Sequence, residues 1–248
     1  MFFSSSVIRS CYGYGIRWRY GFVFVALALS LVACSATKQA RDVGFSGFLG
    51  DYSKLVKGSE GQELYVYNNP KANWAAYNKI LLDPVMIWQD PQSAERLPEE
   101  DLQRLADFFY AALKEELQRD YTLVDKPGPS TLRIQTAIIN VEKTNPALAT
   151  VSSIASPLNP AFIGSLATNM ITGKPLGSGE TTIEGKVTNA QTGELLGAAV
   201  DRRFGVATMG ASKFDSWGEV EQALLYWATN STYRLCKARG AANCRPPK

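Results

Sequence analysis

The sequence contains no histidine. Without an imidazole, neither a Ser-His-Asp nor a Cys-His arrangement can activate a nucleophile, and zinc sites that need a histidine ligand are excluded. We expect no metal ion and no cofactor. The composition is otherwise that of an ordinary globular protein, with 46% hydrophobic and 20% charged residues, which disfavours general disorder.

A basic excess is also missing outside the amino terminus. Lysines and arginines number 26 against 23 acidic residues, and Arg9, Arg17 and Arg19 account for the difference. The remaining chain is therefore neutral. Nucleic-acid-binding proteins usually carry a basic excess that neutralises phosphates, so we expect no nucleic acid among the partners.

The first 33 residues have the pattern of a secretory signal peptide. The three arginines precede an apolar run at residues 21–33, which is shorter than the roughly 20 residues of a membrane-spanning helix. The run ends in LVAC at residues 31–34, which resembles the lipobox at which bacterial lipoproteins are acylated and cleaved. We predict a signal peptide at residues 1–33 and lipid attachment at Cys34, with acyl chains such as palmitate holding the protein to a membrane.

Ser35 follows the predicted lipid attachment site. In the enterobacterial sorting rule, aspartate at this place retains a lipoprotein in the inner membrane, whereas serine permits export. We therefore expect an outer-membrane anchor on the periplasmic face. Residues 34–60 are rich in Ser, Gly and Lys and are predicted to be the lipidated amino terminus and a tether. Residues 61–248 are predicted to be a single periplasmic domain.

Two cysteines remain for disulfide formation. Cys11 lies in the predicted signal peptide and Cys34 in the predicted lipobox, which leaves Cys236 and Cys244 in an oxidising compartment. A disulfide between them is the favoured interpretation. Free thiols are the alternative, because sequence spacing does not fix the distance between the Cα atoms.

Hydrophobic periodicity predicts an α+β fold. A helix is expected from residue 97 to 120, and a second one carries Trp217, Val220, Leu224, Trp227 and Ser231 along one face. Ser216 and Glu219 match a capping box for that second helix. Residues 64–67 are a short apolar segment, and strands are predicted at residues 77–88 (broken at Asp83-Pro84), 121–124, 132–142, 182–188 and 195–206. Together these elements predict a two-layer domain, a mostly antiparallel sheet with two amphipathic helices packed on one face, and the alternation in 182–188 predicts that the other face of that strand is in water.

Four segments resemble one bacterial lipoprotein family, catalogued as domain of unknown function 3313. They are GFLGDYSKLVKG at 47–58, LYVYNNP at 64–70, YNKILLDPVMIW at 77–88 and IEGKVTNAQTGELLGAAVDRR at 183–203. The resemblance implies no known activity and carries over no catalytic residue. The family is more loosely similar to the amino-terminal domain of TolB and to curli secretion lipoproteins, which favours scaffolding or partner binding only by analogy of fold.

Several charged clusters are candidate sites. Asp201-Arg202-Arg203 could hold an acidic ligand through paired guanidinium groups, or be a solvated strand end. Carboxylates at 99–101 and 115–116 could supply a glycosidase pair, although the helix dipole and surface charge explain these residues without chemistry. The basic carboxyl terminus could contact anionic lipid or peptidoglycan, or be a solvated tail. Its basic residues are Arg234, Lys237, Arg239, Arg245 and Lys248.

Residues 157–172 are predicted to form a short amphipathic helix, with Leu158, Phe162, Leu166 and Met170 at intervals of four. This helix could be a docking surface for a partner or a bilayer, or a crossover helix that covers the sheet.

The leading functional hypothesis is a non-enzymatic, outer-membrane-anchored lipoprotein whose domain binds an envelope protein or peptidoglycan. The rival hypothesis is a histidine-free hydrolase of cell-wall or lipid material that uses carboxylates such as Glu99 or Glu184. A pocket that holds two carboxylates at catalytic separation would favour the rival.

Overall fold

The computed structural model describes residues 37–88, 97–152, 156, 158–205 and 217–247. The strands among these residues are β1 (Thr37–Gln39), β2 (Val56–Lys57), β3 (Tyr65–Asn68), β4 (Lys79–Leu82), β5 (Met86–Ile87), β6 (Thr122–Leu123), β7 (Thr131–Glu142), β8 (Glu180–Asn189) and β9 (Leu195–Gly205). The α-helices are α1 (Glu99–Leu117), α2 (Pro146–Ser152), α3 (Pro160–Thr172) and α4 (Gly218–Ala238).

The strands form one mixed sheet in the order β2-β3-β9-β8-β7-β4-β6. Its centre is the long antiparallel set β7, β8 and β9. On one side of β7, β4 and then β5 pair with it in parallel, separated by the predicted break at Asp83-Pro84. Proline cannot donate to the ladder, so the two short strands follow one edge without being continuous.

Helices α1 and α4 pack on one face of this sheet and supply most of the core. Leu105, Phe109 and Leu117 of α1 and Leu224 and Trp227 of α4 are all buried. They form one cluster with the strand residues Ile134, Ile138, Ile183 and Leu196. The predicted α+β architecture, a mostly antiparallel sheet with two amphipathic helices on one face, is confirmed.

Residues 37–60 belong to the folded domain, unlike the tether predicted there. Thr37 pairs with Gly205 at the end of β9, and Phe48 packs against Ala137 and Ile139 of β7. The Ser- and Gly-rich composition concealed these contacts, because it is typical of linkers and of tight surface turns alike. The folded domain thus extends to Thr37 and does not begin at residue 61.

The start of α4 is where a capping box is predicted. Its N-cap is Trp217, without a side-chain hydrogen bond, while Ser216 lies outside the described residues. The Glu219 carboxylate accepts hydrogen bonds from Thr144 Oγ1 (2.8 Å) and from the Gly179 backbone N–H (2.6 Å). The capping box predicted for Ser216 and Glu219 stays a prediction, and Glu219 connects the helix to the start of β8.

Helix α3 does not cover the sheet. It packs mainly against α2, and its large apolar side chains Met170 and Ile171 are exposed. The crossover-helix interpretation of residues 157–172 is therefore wrong, and the docking interpretation remains a prediction.

Candidate functional site

A cavity of about 140 Å³ lies between α4 and the strands beneath it. It exists because the strand residues there are small: Gly185, Gly197 and Ala199 line it. A Cβ atom added at Gly185 would make only an ordinary contact, 3.6 Å from Thr136 Cγ2. The lining also includes exposed Asn68, so the cavity reaches the protein surface beside β3.

Most of the cavity wall is apolar, formed by Phe109, Leu113, Ile134 and Trp227. One hydroxyl in this wall has no hydrogen-bond partner among the described residues: the buried Oγ1 of Thr136. Leaving a buried hydroxyl unpaired costs about 1–3 kcal/mol. A ligand that carries a polar atom beside an apolar group would hydrogen-bond this hydroxyl and so remove that cost.

Asp201 is one of two carboxylates on the cavity wall, and it is only 1% exposed. Its Oδ2 accepts a hydrogen bond from Trp227 Nε1 at 2.7 Å. Its Oδ1 accepts from Gln39 Nε2 at 2.6 Å and from the Leu64 backbone N–H at 3.2 Å. Both oxygens are therefore occupied, and the carboxylate connects β9 to β1, to α4 and to the residue just before β3.

Glu63 is the second carboxylate. Asn230 Nδ2 donates to its Oε1 at 2.7 Å, and Arg234 Nε lies 3.1 Å from the same oxygen. Arg234 also donates to the Gly61 carbonyl at 2.6 Å. This ion pair attaches the turn before β3 to α4.

The electrostatics of the two carboxylates follow from their burial. Burial raises the pKa of Glu63, Arg234 opposes that rise, and the nearby charge of Asp201 adds to it. Burial likewise raises the pKa of Asp201, against the hydrogen bonds from Trp227 and Gln39. Two raised carboxyl pKa values beside one cavity are a feature of many functional sites, although structural networks also produce them.

Residues 201–203 are not the anion site or solvated strand end that the sequence suggested. Asp201 points inward, and Arg203 is buried with its guanidinium 3.7 Å from the centre of the Tyr226 ring. Burial lowers the pKa of Arg203. Arg202 Nε donates to Glu180 Oε1 at 2.7 Å, so all three side chains already have partners.

Glu184 lies on the opposite face of the sheet, fully buried. The Ser46 backbone N–H and the Tyr52 hydroxyl donate to its two oxygens at 2.8 and 2.6 Å. Burial, then the hydrogen bond to Glu184, raises the pKa of Tyr52. The prediction that this face of β8 is in water is wrong here, because residues 45–52 cover it.

The predicted carboxylate pairs do not converge. Glu99 is exposed in the first turn of α1, on the helical side of the sheet, whereas Glu184 is buried on the other side. Glu115 and Glu116 pair with Arg119 at 3.0 and 2.7 Å. Among the described residues, no group of three or more acids and cysteines is placed to hold a metal ion.

At the carboxyl terminus, Cys236 and Cys244 form the predicted disulfide, with Cα atoms 5.6 Å apart. The basic residues nearby are not a uniform tail, because Arg234 pairs with Glu63 and the Arg239 guanidinium lies 4.3 Å from the centre of the Tyr121 ring. Lys248 lies outside the described residues, as does the predicted lipid attachment site Cys34.

Sequence reasoning missed the cavity and its carboxylate Glu63. A signal was present, because Gly185, Gly197 and Ala199 stand where strands that pack against helices usually carry large apolar residues. No pattern marked Glu63, whose partners Asn230 and Arg234 are far away in the sequence.

The model of the family described as "Protein of unknown function (DUF3313)" matches residues 45–231. The chain belongs to this DUF3313 family. The uncharacterized lipoprotein YdcL of Escherichia coli K12 is 23% identical over 215 residues, 85% of this chain and 95% of YdcL. YdcL from Escherichia coli O157:H7 matches equally. The DUF3313 family has no assigned activity, and these two relatives from Escherichia coli are lipoproteins.

Solved structures with a similar chain path include two from other bacteria. A PelC dodecamer from Paraburkholderia phytofirmans is 10% identical, with a TM-score of 0.34 over 72% of this chain and 96% of that one. A putative neuraminyllactose-binding hemagglutinin homolog from Helicobacter pylori is also 10% identical, with a TM-score of 0.40 over 75% of this chain and 94% of that one.

Proposed function

We propose that this protein is an outer-membrane-anchored periplasmic lipoprotein whose domain is a non-enzymatic module that binds another envelope protein. The anchor rests on the lipobox-like sequence at residues 31–34 and on the lipoprotein relatives. Ser35 favours the outer membrane. Metabolic labelling with a palmitate analogue is expected to mark the wild-type protein and not the Cys34→Ala variant, and equal labelling of both would contradict the anchor.

The observation that carries the binding role is the cavity beneath α4. Its volume of about 140 Å³ is close to that of an engineered apolar cavity of about 150 Å³ that binds benzene in another protein. It would therefore accept one aromatic or branched aliphatic side chain. A mostly apolar wall favours such a side chain from a protein over the polar glycan of peptidoglycan.

Filling the cavity tests this proposal. Gly185→Val places two methyl groups in the cavity, and a β-branched residue suits a strand. Crosslinking in intact membranes, followed by purification, is expected to recover a reproducible partner with the wild-type protein and with Gly128→Ala. Gly128 is a matched control, since a Cβ added there would lie 3.8 Å from its nearest non-adjacent neighbour, Thr131 Oγ1.

Gly185→Val is expected to keep the fold and to lose that partner. The same partner recovered equally with Gly185→Val would contradict the proposal. Retention by isolated peptidoglycan fragments, abolished by the same variant, would replace the protein partner with peptidoglycan.

A second candidate function, the histidine-free hydrolase, has one observation in its favour: Glu63 and Asp201 line the same cavity and both have raised pKa values. Against it, both Asp201 oxygens already accept hydrogen bonds. Hydrolysis of labelled peptidoglycan or phospholipid by the wild-type protein, abolished by Glu63→Gln, would establish this alternative. No turnover of either substrate is expected.

A further inference from the structure

Residues 144–173 contain no charged side chain and expose several large apolar ones. Leu158 is 91% exposed, Met170 77% and Ile171 78%. Isolated exposed apolar residues are common, whereas several of them close together mark a surface that contacts a partner or a membrane.

Met170 and Ile171 belong to a well-formed helix, and Leu158 lies two residues before its start. Asn159 caps α3 by accepting a hydrogen bond from the Ala161 N–H at 3.1 Å, and Pro160 occupies its first turn, where the missing N–H is not needed. Gly173 ends it at a φ of +79°, a conformation that glycine adopts without strain. On one side of α3, Ser165 Oγ accepts a hydrogen bond from the Leu176 backbone N–H at 3.2 Å. The exposed apolar side chains lie on other parts of the helix surface.

Helices α2 and α3 connect β7 to β8 at one end of the sheet, and β1 starts at that same end. Glu142, the last residue of β7, pairs with Glu180, the first residue of β8. Glu180 in turn pairs with Phe204, and the next residue of β9, Gly205, pairs with Thr37, the first residue of β1. The beginning of β1 is therefore two strands away from the connection that carries α3.

A hydrogen bond also connects the segment after β1 directly to α3. Arg41 lies just after β1, and its Nη1 donates a hydrogen bond to the Met170 carbonyl at 2.8 Å. Arg41, in the segment that follows the predicted lipid attachment site, thus contacts the last turn of α3.

The predicted anchor limits what can cover α3. Cys34 precedes Thr37 by three residues, and an extended residue spans at most about 3.6 Å, so no more than about 11 Å of chain connects the predicted lipid attachment site to β1. An acylated Cys34 would bring this end of the sheet to the bilayer. We propose that Leu158 and α3 insert their apolar side chains into the surface of the membrane that holds the lipid anchor. This inference rests on the lipid anchor proposed above.

The insertion would be shallow. The 13 residues of α3 extend about 20 Å, less than the roughly 30 Å of the hydrocarbon core. Among the described residues, no helix is long and apolar enough to cross a membrane. A helix that lies in the interface buries its apolar side only about 5–10 Å deep, which suits α3.

The test uses the lipidated protein, purified from membranes and reconstituted into vesicles of phosphatidylethanolamine and phosphatidylglycerol. Leu158→Cys and Met170→Cys each receive a polarity-sensitive fluorophore, and Cys236 and Cys244 do not react because they are paired. Gln191→Cys is the matched control, since Gln191 is exposed in the turn between β8 and β9, at the opposite end of these strands. We expect a blue shift and loss of more than half of the fluorescence to spin-labelled lipids at positions 158 and 170, and neither effect at 191.

Fluorophores at 158 and 170 that stay as exposed to water as the one at 191 would overturn the inference. A blue shift that persists without vesicles and resists spin-labelled lipids would also overturn it, because a second copy or another protein would then cover α3. Intact mass spectrometry of the same sample separates the two proposals. Acyl chains on Cys34 with unquenched fluorophores contradict only the insertion, whereas an unacylated Cys34 removes the anchor itself.

Discussion

In the polar cluster beneath α4 charged side chains are buried, whereas on the surface of α3 apolar side chains are exposed. Beneath α4, the charged side chains of Glu63, Asp201 and Arg203 are buried and each has hydrogen-bonding partners. On α3 no charged residue occurs, and large apolar side chains face outward. Charged residues are rarely buried unless they are paired, and large exposed apolar patches are rare in monomeric soluble proteins. The comparison indicates that the buried charges hold the fold together, whereas the surface of α3 leaves apolar side chains exposed for the membrane contact proposed above.

The largest effect is expected from Asp201→Ala. It leaves Trp227 Nε1, Gln39 Nε2 and the Leu64 N–H without their buried acceptor, and breaking a buried charged network costs about 3–5 kcal/mol. Urea denaturation measures the loss in the free energy of unfolding. Asp125→Ala, at an exposed position, is the control and should change this energy by less than about 0.5 kcal/mol. Equal losses in the two variants would mean that the cluster does not hold the fold together.

Gly205→Ala is expected to have the next largest effect. A Cβ atom at this position would overlap the Glu219 carboxylate, which is held by Thr144 and Gly179. Overpacking a buried site typically costs about 1–3 kcal/mol, and we expect the upper part of that range because hydrogen bonds are displaced as well. Thermal unfolding measures it, with Gly128→Ala as the control that has room for its methyl group. An unchanged melting temperature in Gly205→Ala would contradict the packing described for Glu219.

A smaller effect is expected for the pH dependence of stability. The folded-state pKa of Glu63 is raised above its ordinary value of 4.5, so its contribution to stability is fully present below about pH 4.5 and is lost as pH rises through the raised pKa. Glu63→Gln cannot ionise, and its free energy of unfolding should fall less than that of the wild type as pH rises above 4.5. Glu60→Gln, at an exposed position, should follow the wild type. Parallel curves for Glu63→Gln and wild type would show that Glu63 is not desolvated.

The smallest effect on stability is expected on α3. Met170→Ser removes an apolar side chain that is 77% exposed, and surface substitutions usually change stability by less than about 0.5 kcal/mol. Leu105→Ala, in the core, is the contrast and should cost about 2–5 kcal/mol. Urea denaturation of both compares the two regions directly. A large loss for Met170→Ser would mean that α3 packs within the domain and is not a surface for an outside contact.

Local patterns predicted the parts of the fold that depend on neighbouring residues. The bounds of α1 and of the β8–β9 hairpin follow from periodicity and from turn residues, which act over a few positions. The break at Asp83-Pro84 follows from proline chemistry. These features need no knowledge of distant partners, and the sequence was sufficient for them.

Features that depend on distant partners were not predictable in this way. Asp201 looked like a solvated strand end because Gln39 and Trp227, which bury and bind it, are remote in the sequence. Residues 45–52 looked like a tether, although Tyr52 binds Glu184 on β8. The small residues that open the cavity, Gly185 among them, became informative only once α4 was placed above them.

The most direct test of the account is the intact mass of the protein extracted from membranes. The expected species is a chain that begins at Cys34 and carries a diacylglyceryl group together with an amide-linked acyl chain. A chain that keeps residues 1–33, or one that begins at Cys34 with an unmodified thiol, would contradict the anchor on which the proposed function and the membrane contact of α3 both depend.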